Sequence, residues 1–140
     1  MEEIKPVQII HTPAGETVLD MGQNIAGWIR FQTDAPEGTQ IHLQFGELLQ
    51  EGNFFRDNLR KAKAEYIYIA DGSCSTVEPY FTFYGFQFVK VTGWVGDLNI
   101  EDFTGCVVYS EMDITGEIET SNAKVNQLFQ NAMWSQKDNF

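Results

Sequence analysis

Apolar and polar residues alternate along most of the chain. In residues 28–32, 41–45 and 66–69, isoleucine, leucine or phenylalanine alternates with residues whose side chains are polar or amphipathic. A period of two is typical of β-strands with one buried face. The segment 84–94, "YGFQFVKVTGW", is apolar on both faces, which is typical of an inner strand covered on both sides. Glycine or proline turns separate these stretches, at "TPAGE", "APEGT", "LQEGN", "ADGSC" and "GWVGD".

Strands at this spacing predict an all-β fold, namely an antiparallel β-sandwich with two sheets packed face to face. The predicted inward residues are the apolar members of the alternating stretches: Ile29, Phe31, Ile41, Leu43, Phe45, Ile67, Ile69, Phe86 and Phe88. A shift of one residue would turn a whole strand's set outward. The exposure of these side chains therefore tests the prediction strand by strand.

The last part of the chain follows a helical period instead. Its apolar residues recur every three or four positions, at Val125, Leu128, Phe129, Ala132 and Met133. Ser121 is placed to cap the start of this helix. We predict one C-terminal α-helix of about 15 residues, which is marginally stable alone in water. Its apolar stripe needs a cover. We expect the helix to fold back onto the sandwich, to pack against the same helix of a second copy, or to fray.

The charge balance narrows the classes of partner. Nine basic residues against 20 acidic residues give a net charge of −11, which repels nucleic acid and anionic lipid. No run of residues is apolar over the roughly 18 positions that a membrane span needs. The two histidines and two cysteines lack metal-site spacing, and we expect no metal and no cofactor. The sequence leaves the cellular compartment open.

Five residues are candidates for carbohydrate binding. Trp28 and Trp94 could stack on the apolar face of a sugar ring. Arg56, Asn58 and Arg60 lie in a long basic connection, residues 50–64, and offer directional hydrogen-bond donors to hydroxyl groups. The structural alternatives are buried tryptophans and a surface loop that pairs its own charges. An open aromatic side chain beside polar groups would favour the binding interpretation.

The stretch "DMGQNIAGW", residues 20–28, is dense in polar and aromatic groups and resembles a sugar-binding loop in composition. Asp20, Gly22 and Gly27 are also typical of turns and strand crossings, and Trp28 could begin a packed strand. We favour this structural interpretation over a binding site. Three acidic residues, Glu47, Glu51 and Asp57, are candidates for acid chemistry only because acidic residues are abundant in this chain. Acidic residues are mostly solvated, and we assign no catalytic residue.

Four separated motifs together resemble the bacterial α-L-rhamnosidases of glycoside hydrolase family 78. They are "DMGQNIAGW", "NLRKAKAEYIY", "EPYFTFYGFQFVKVTGW" and "GCVVYSEMDITGEIETSNAKVNQLFQNAMWSQKDNF". The resemblance implies a concanavalin-like, jelly-roll type β-sandwich over residues 1–119. It also implies that residues 120–140 begin the helical (α/α)6 catalytic domain of the same parent chain.

Two departures from the family bear on function. The family has an acid-rich stretch after "WSQ" that supplies the general acid, and this chain does not contain it. The family commonly has histidine where this chain has Tyr84. The resemblance therefore implies a non-catalytic accessory domain of an enzyme that releases terminal α-L-rhamnose by an inverting mechanism, with the catalytic barrel as its partner. The alternative from the residues is a stand-alone, lectin-like module for rhamnosides or other plant and polysaccharide glycans.

Overall fold

Ten strands and one C-terminal helix make up the computed structural model, which describes residues 2–139. The elements in chain order are β1 Glu2–Ile4, β2 Gln8–His11, β3 Thr17–Thr33, β4 Gln40–Gly46, β5 Leu48–Gln50, β6 Asn53–Phe55, β7 Glu65–Ile69, β8 Ser75–Val77, β9 Tyr84–Thr92, β10 Phe103–Val107 and α1 Ala123–Lys137. Short 3-10 turns occupy Asp57–Leu59 and Ile100–Asp102. The predicted fold class, an antiparallel β-sandwich with one C-terminal helix, is confirmed.

The 17-residue strand β3 joins the two layers of the sandwich. Residues 17–20 of β3 pair with β2, and residues 17–20 and 25–27 pair with β9. Residues 27–31 pair with β10, and residues 31–33 pair with β8. The β3–β9 register shifts between Asp20 and Ile25, and a bulge of this kind bends the strand. All eight strands of this sheet are therefore linked through hydrogen bonds, in the order β1-β10-β3-β9-β4-β7 with β2 and β8 also on β3.

The core lies between these two layers. The ring of Phe31, in the second half of β3, meets Tyr68 of β7 edge to face, with centroids 5.9 Å apart. Strands β3 and β7 are not hydrogen-bonded to each other, so this contact crosses the sandwich. Six of the predicted inward residues are at most 1% exposed: Ile29, Phe31, Ile41, Leu43, Phe45 and Phe86. Phe88 is only half-buried.

The predicted orientation of β7 is wrong by one residue. Ile67 and Ile69 are 49% and 55% exposed, and Tyr66 and Tyr68 pack against the core instead. The register explains the reversal, because directly opposed residues share a face of the sheet and Tyr66 lies opposite the buried Leu43. The sequence Tyr-Ile-Tyr-Ile has no charged face to fix the parity of the strand.

Two local predictions also change. A hairpin, β5–β6, overlaps the start of the connection 50–64. Its two turn residues, Glu51 and Gly52, both have positive φ, of 51° and 77°. This is the backbone geometry that two-residue hairpin loops prefer. The N-cap of α1 is Asn122 and not Ser121, since the Asn122 side chain accepts a hydrogen bond from the Lys124 amide at 3.0 Å.

Candidate functional site

Asp20, the first residue of the "DMGQNIAGW" motif, has its carboxylate occupied by internal donors. Its Oδ1 accepts hydrogen bonds from the Gly22 amide at 2.8 Å and from Gln87 Nε2 at 3.0 Å. Its Oδ2 accepts one from Gln8 Nε2 at 3.0 Å, and the residue is 8% exposed. Gly22 follows with φ of 71°, a conformation that glycine adopts without strain. Asp20 therefore holds the bend in β3 and does not face a ligand.

Gly27 and Trp28 complete the motif, and both are engaged in packing. A Cβ atom on Gly27 would lie 1.9 Å from the backbone oxygen of Cys106 in β10, so close strand approach requires glycine here. Positive φ is not the reason, in contrast to Gly22. Trp28 is half-buried, and its Nε1 donates to Glu78 Oε2 at 3.0 Å. The structure supports the structural interpretation of this motif.

The basic connection pairs its charges and amides with nearby acidic residues. Arg56 Nη1 lies 3.9 Å from Glu65 Oε2, and His42 Nε2 lies 3.1 Å from the same oxygen. Asn58 Nδ2 donates to Glu47 Oε2 at 3.0 Å. Arg60 is exposed and has φ of 57° at the end of the 3-10 turn. The paired acids, Glu47 and Glu65, lie outside residues 50–64, so these contacts tie the connection to the residues that flank it.

Trp94 lies at the edge of a surface recess of about 440 Å³. Its ring packs on Phe103 and Phe31, with centroids 4.8 and 6.1 Å apart, which fixes its position. Two exposed polar side chains, His11 and Asp97, line the same recess. Sequence analysis missed this grouping, because β2 and the turn after β9 are brought together only by their pairing with β3. No local sequence signal indicates such a contact.

The structure therefore distributes the five predicted binding residues over separate environments. The Trp28 indole is hydrogen-bonded to Glu78, and Trp94 lines the recess. Arg56 lies near Glu65, Asn58 is hydrogen-bonded to Glu47, and Arg60 is exposed. Among residues 2–139, no group of three or more His, Cys, Asp or Glu side chains is placed to hold a metal ion. Within the same residues, no helix combines the length and apolar character needed to cross a bilayer.

Glu16 is a second acid that the fold uses structurally. Burial disfavours its charged form, but hydrogen bonds from Lys90, the Phe54 amide and Thr12 outweigh burial and lower the pKa of Glu16. Lys90 Nζ donates to Oε1 at 2.9 Å and the Phe54 amide donates to Oε2 at 3.0 Å. One carboxylate thus ties the β5–β6 hairpin to β9.

Helix α1 contacts the sandwich at its C-terminal end. Asp138 Oδ1 accepts a hydrogen bond from the Ala26 amide at 3.0 Å, and Lys137 Nζ donates to Glu2 Oε2 at 2.6 Å. Lys137 also lies 4.4 Å from the centroid of the Trp134 ring. Burial raises the pKa of Asp138, although the Ala26 amide and Lys137 favour its charged form. The helix is therefore anchored to the sandwich at one end.

The other end of α1 projects from the sandwich. Val125 and Leu128 of the apolar stripe are 42% and 68% exposed, and no residue of the helix is buried. Residues 108–122, which lead into the helix, form no helix or strand and are almost wholly exposed. The described residues cover only part of the apolar stripe of α1.

Comparison with known proteins places this sandwich in a family. Residues 10–109 match the family described as bacterial alpha-L-rhamnosidase concanavalin-like domain. The chain belongs to this concanavalin-like domain family. An α-L-rhamnosidase of Streptomyces avermitilis is 36% identical over 141 residues, and one of Alteromonas sp. (strain LOR) is 30% identical over 145 residues.

Solved structures agree with this assignment to the concanavalin-like domain family. An α-L-rhamnosidase from Aspergillus terreus superimposes with a TM-score of 0.96 at 36% identity. The Streptomyces avermitilis enzyme in complex with L-rhamnose superimposes with a TM-score of 0.94 at 35% identity. Each structure matches all of this chain, but the chain covers only 17% and 14% of them, respectively. It likewise covers 14% and 16% of the Streptomyces and Alteromonas relatives.

Proposed function

We propose that the chain is the non-catalytic accessory β-sandwich of an α-L-rhamnosidase, which hydrolyses terminal α-L-rhamnose from glycosides. The observation that carries this proposal is the coverage of the relatives. All of this chain matches enzymes named α-L-rhamnosidase, yet it spans only about one-seventh of their length. The partner of the sandwich is then the catalytic helical barrel of the same longer protein.

The chemistry of an inverting glycosidase explains why the catalytic step is assigned elsewhere. One carboxylic acid protonates the leaving oxygen and a second carboxylate activates water on the opposite face of the sugar. Both groups must face the substrate. In this chain Asp20 and Glu16 are bound by internal donors, and Glu65 lies against His42 and Arg56. These acids serve the fold, which supports placing the catalytic pair in the barrel.

Variants of the longer protein test this division of labour. Glu47→Gln and Glu65→Gln remove the two carboxylates that contact Asn58 and Arg56 of the basic connection. We expect kcat for an aryl α-L-rhamnoside to stay within about twofold of wild type, because loss of a general acid or base costs 10²–10⁴-fold. Asp34→Asn, at an exposed acidic residue just after β3, is the matched control. A hundredfold loss in either glutamine variant, with an unchanged unfolding temperature, would contradict the proposal.

We place the domain boundary near residue 120, with the sandwich in residues 1–119 and the start of the helical domain in residues 120–140. The exposed, irregular segment 108–122 and the one-ended anchoring of α1 support this boundary. A chain that ends at Thr120 is expected to unfold cooperatively in urea and to lose at most about 3 kcal/mol of stability. If that chain were unfolded at room temperature while the 140-residue chain folded, the boundary would be wrong.

The recess at Trp94 favours a second candidate function, weak binding of a neutral saccharide. It combines a positioned aromatic ring with the polar side chains of His11 and Asp97, as small-ligand sites do. Titration of the chain with L-rhamnose, followed by tryptophan fluorescence, tests this function. Micromolar affinity that is lost in His11→Ala and Asp97→Asn, and kept in the distant Asn58→Ala, would support the lectin-like alternative. Affinity weaker than about 1 mM, a binding free energy under about 4 kcal/mol, supports the accessory role alone.

A further inference from the structure

Three aromatic side chains in the loop between β8 and β9 are exposed to solvent. Tyr80, Phe81 and Phe83 are 76%, 108% and 65% exposed, and we call them the aromatic loop. Phe81 also has φ of 61°, a backbone conformation that aromatic residues rarely adopt. The residues on either side are held by the sandwich, since Pro79 is buried and Tyr84 stacks on Phe45 at 4.2 Å. The fold thus fixes both ends of the loop and turns its aromatic rings outward.

The loop adjoins the anchored end of α1. Gly85, which follows the loop, pairs with Ala26, and the Ala26 amide holds Asp138. Phe83 lines one recess together with Val108, Lys137 and Asp138. The Phe83 side of the loop therefore adjoins the place where the helix meets the sandwich.

The lack of charged side chains in the aromatic loop indicates which kind of partner it contacts. Residues 79–86, "PYFTFYGF", contain no charged side chain in a protein with a net charge of −11. Exposed aromatic side chains without charge are typical of the centre of protein interfaces. A second copy of this chain would carry the same charge of −11 and be repelled. Anionic lipid would be repelled for the same reason.

We propose that Tyr80, Phe81 and Phe83 form the docking surface of the sandwich for an apolar face of the helical domain that follows α1 in the longer protein. This inference rests on the proposed function, because the relatives extend far beyond the length of this chain. The loop and the end of α1 would then contact that domain together. The occupant is a domain of the same chain, which removes the need for a separate binding partner.

A triple variant, Tyr80→Ser, Phe81→Ser and Phe83→Ser, tests the proposal in two proteins. In the 140-residue chain we expect unchanged unfolding, since none of the three side chains is buried. In the longer protein we expect the sandwich to unfold in a separate transition. We also expect proteolysis at the exposed segment 108–122 to become at least about tenfold faster, as for the loss of one interface anchor. Val95→Ser, an exposed apolar residue in the turn after β9, is the control and should change neither protein.

Three outcomes would overturn the proposal. The triple variant could leave unfolding and proteolysis of the longer protein unchanged, or it could destabilise the 140-residue chain, which would place the rings within the sandwich fold. Sedimentation could also show that the 140-residue chain dimerises and that the variant abolishes the dimer. Rhamnoside hydrolysis by the longer wild-type protein, measured in parallel, reports the proposed function separately from the docking surface.

Discussion

Replacing Phe31 with alanine is expected to lower the free energy of unfolding by about 4 kcal/mol, the usual loss for a fully buried phenylalanine. Phe31 is 1% exposed and lies between the two layers of the sandwich. Its ring meets Tyr68, Trp94 and Phe103 at centroid distances of 5.9, 6.1 and 6.1 Å. The deletion would leave a cavity that these rings cannot fill without leaving their own contacts. Urea unfolding followed by tryptophan fluorescence measures the loss.

Phe83→Ala is the matched control, because it removes the same atoms from a side chain that is 65% exposed. We expect it to change the stability of the 140-residue chain by less than about 0.5 kcal/mol. Equal losses in the two variants would mean that the assignment of the core is wrong.

Gly27→Ala is expected to cost more than about 3 kcal/mol, at the upper end of what overpacking causes. The new Cβ atom would lie 1.9 Å from the Cys106 oxygen, and this backbone atom cannot move without breaking the pairing of β3 with β10. Thermal unfolding of the purified variant measures the effect.

Gly116→Ala is the control for the glycine prediction. A Cβ atom at Gly116 would meet nothing within 4 Å. Alanine reduces the conformational freedom of the unfolded chain, so we expect a neutral or slightly stabilising effect of up to about 1 kcal/mol. If Gly27→Ala behaved like this control, the close approach of β3 and β10 would be excluded.

The sequence predicted strand β4 correctly and β7 incorrectly for one physical reason. In β4, His42 and Gln44 alternate with apolar residues, and the polar side chains show which face meets water. In β7, Tyr66 and Ile67 both tolerate burial, so the parity depends on pairing with β4, which the sequence of β7 does not encode. Tertiary pairing decides the orientation of such a strand.

The alternation of polar and apolar residues likewise did not predict the bend in β3. The alternating pattern predicted a strand only in residues 28–32, whereas the pairing with β2, β9, β10 and β8 extends β3 over Thr17–Thr33. The role of Gly27 is also a tertiary one, because the atom that excludes a side chain belongs to Cys106 in β10. Sequence reasoning assigned this glycine to backbone freedom, which applies to Gly22 but not to Gly27.

The candidate site was the least predictable part of the molecule. Residue type alone suggested Trp28 and Arg56 as sugar-binding groups. In the structure, Trp28 Nε1 is hydrogen-bonded to Glu78, and Arg56 Nη1 lies 3.9 Å from Glu65 Oε2. Nothing in the sequence indicated that Phe81 is exposed, because an aromatic residue between strands is ordinarily part of the core. Both features depend on which residues the fold brings alongside them.

The most direct test asks whether the catalytic residues lie outside this chain. It compares the hydrolysis of an aryl α-L-rhamnoside by the purified 140-residue chain with hydrolysis by the longer protein. We expect turnover by the longer protein and no turnover above the buffer rate by the 140-residue chain, after contaminating host glycosidases have been removed. Turnover by the 140-residue chain that disappears when one of its own acidic residues is replaced would contradict the account.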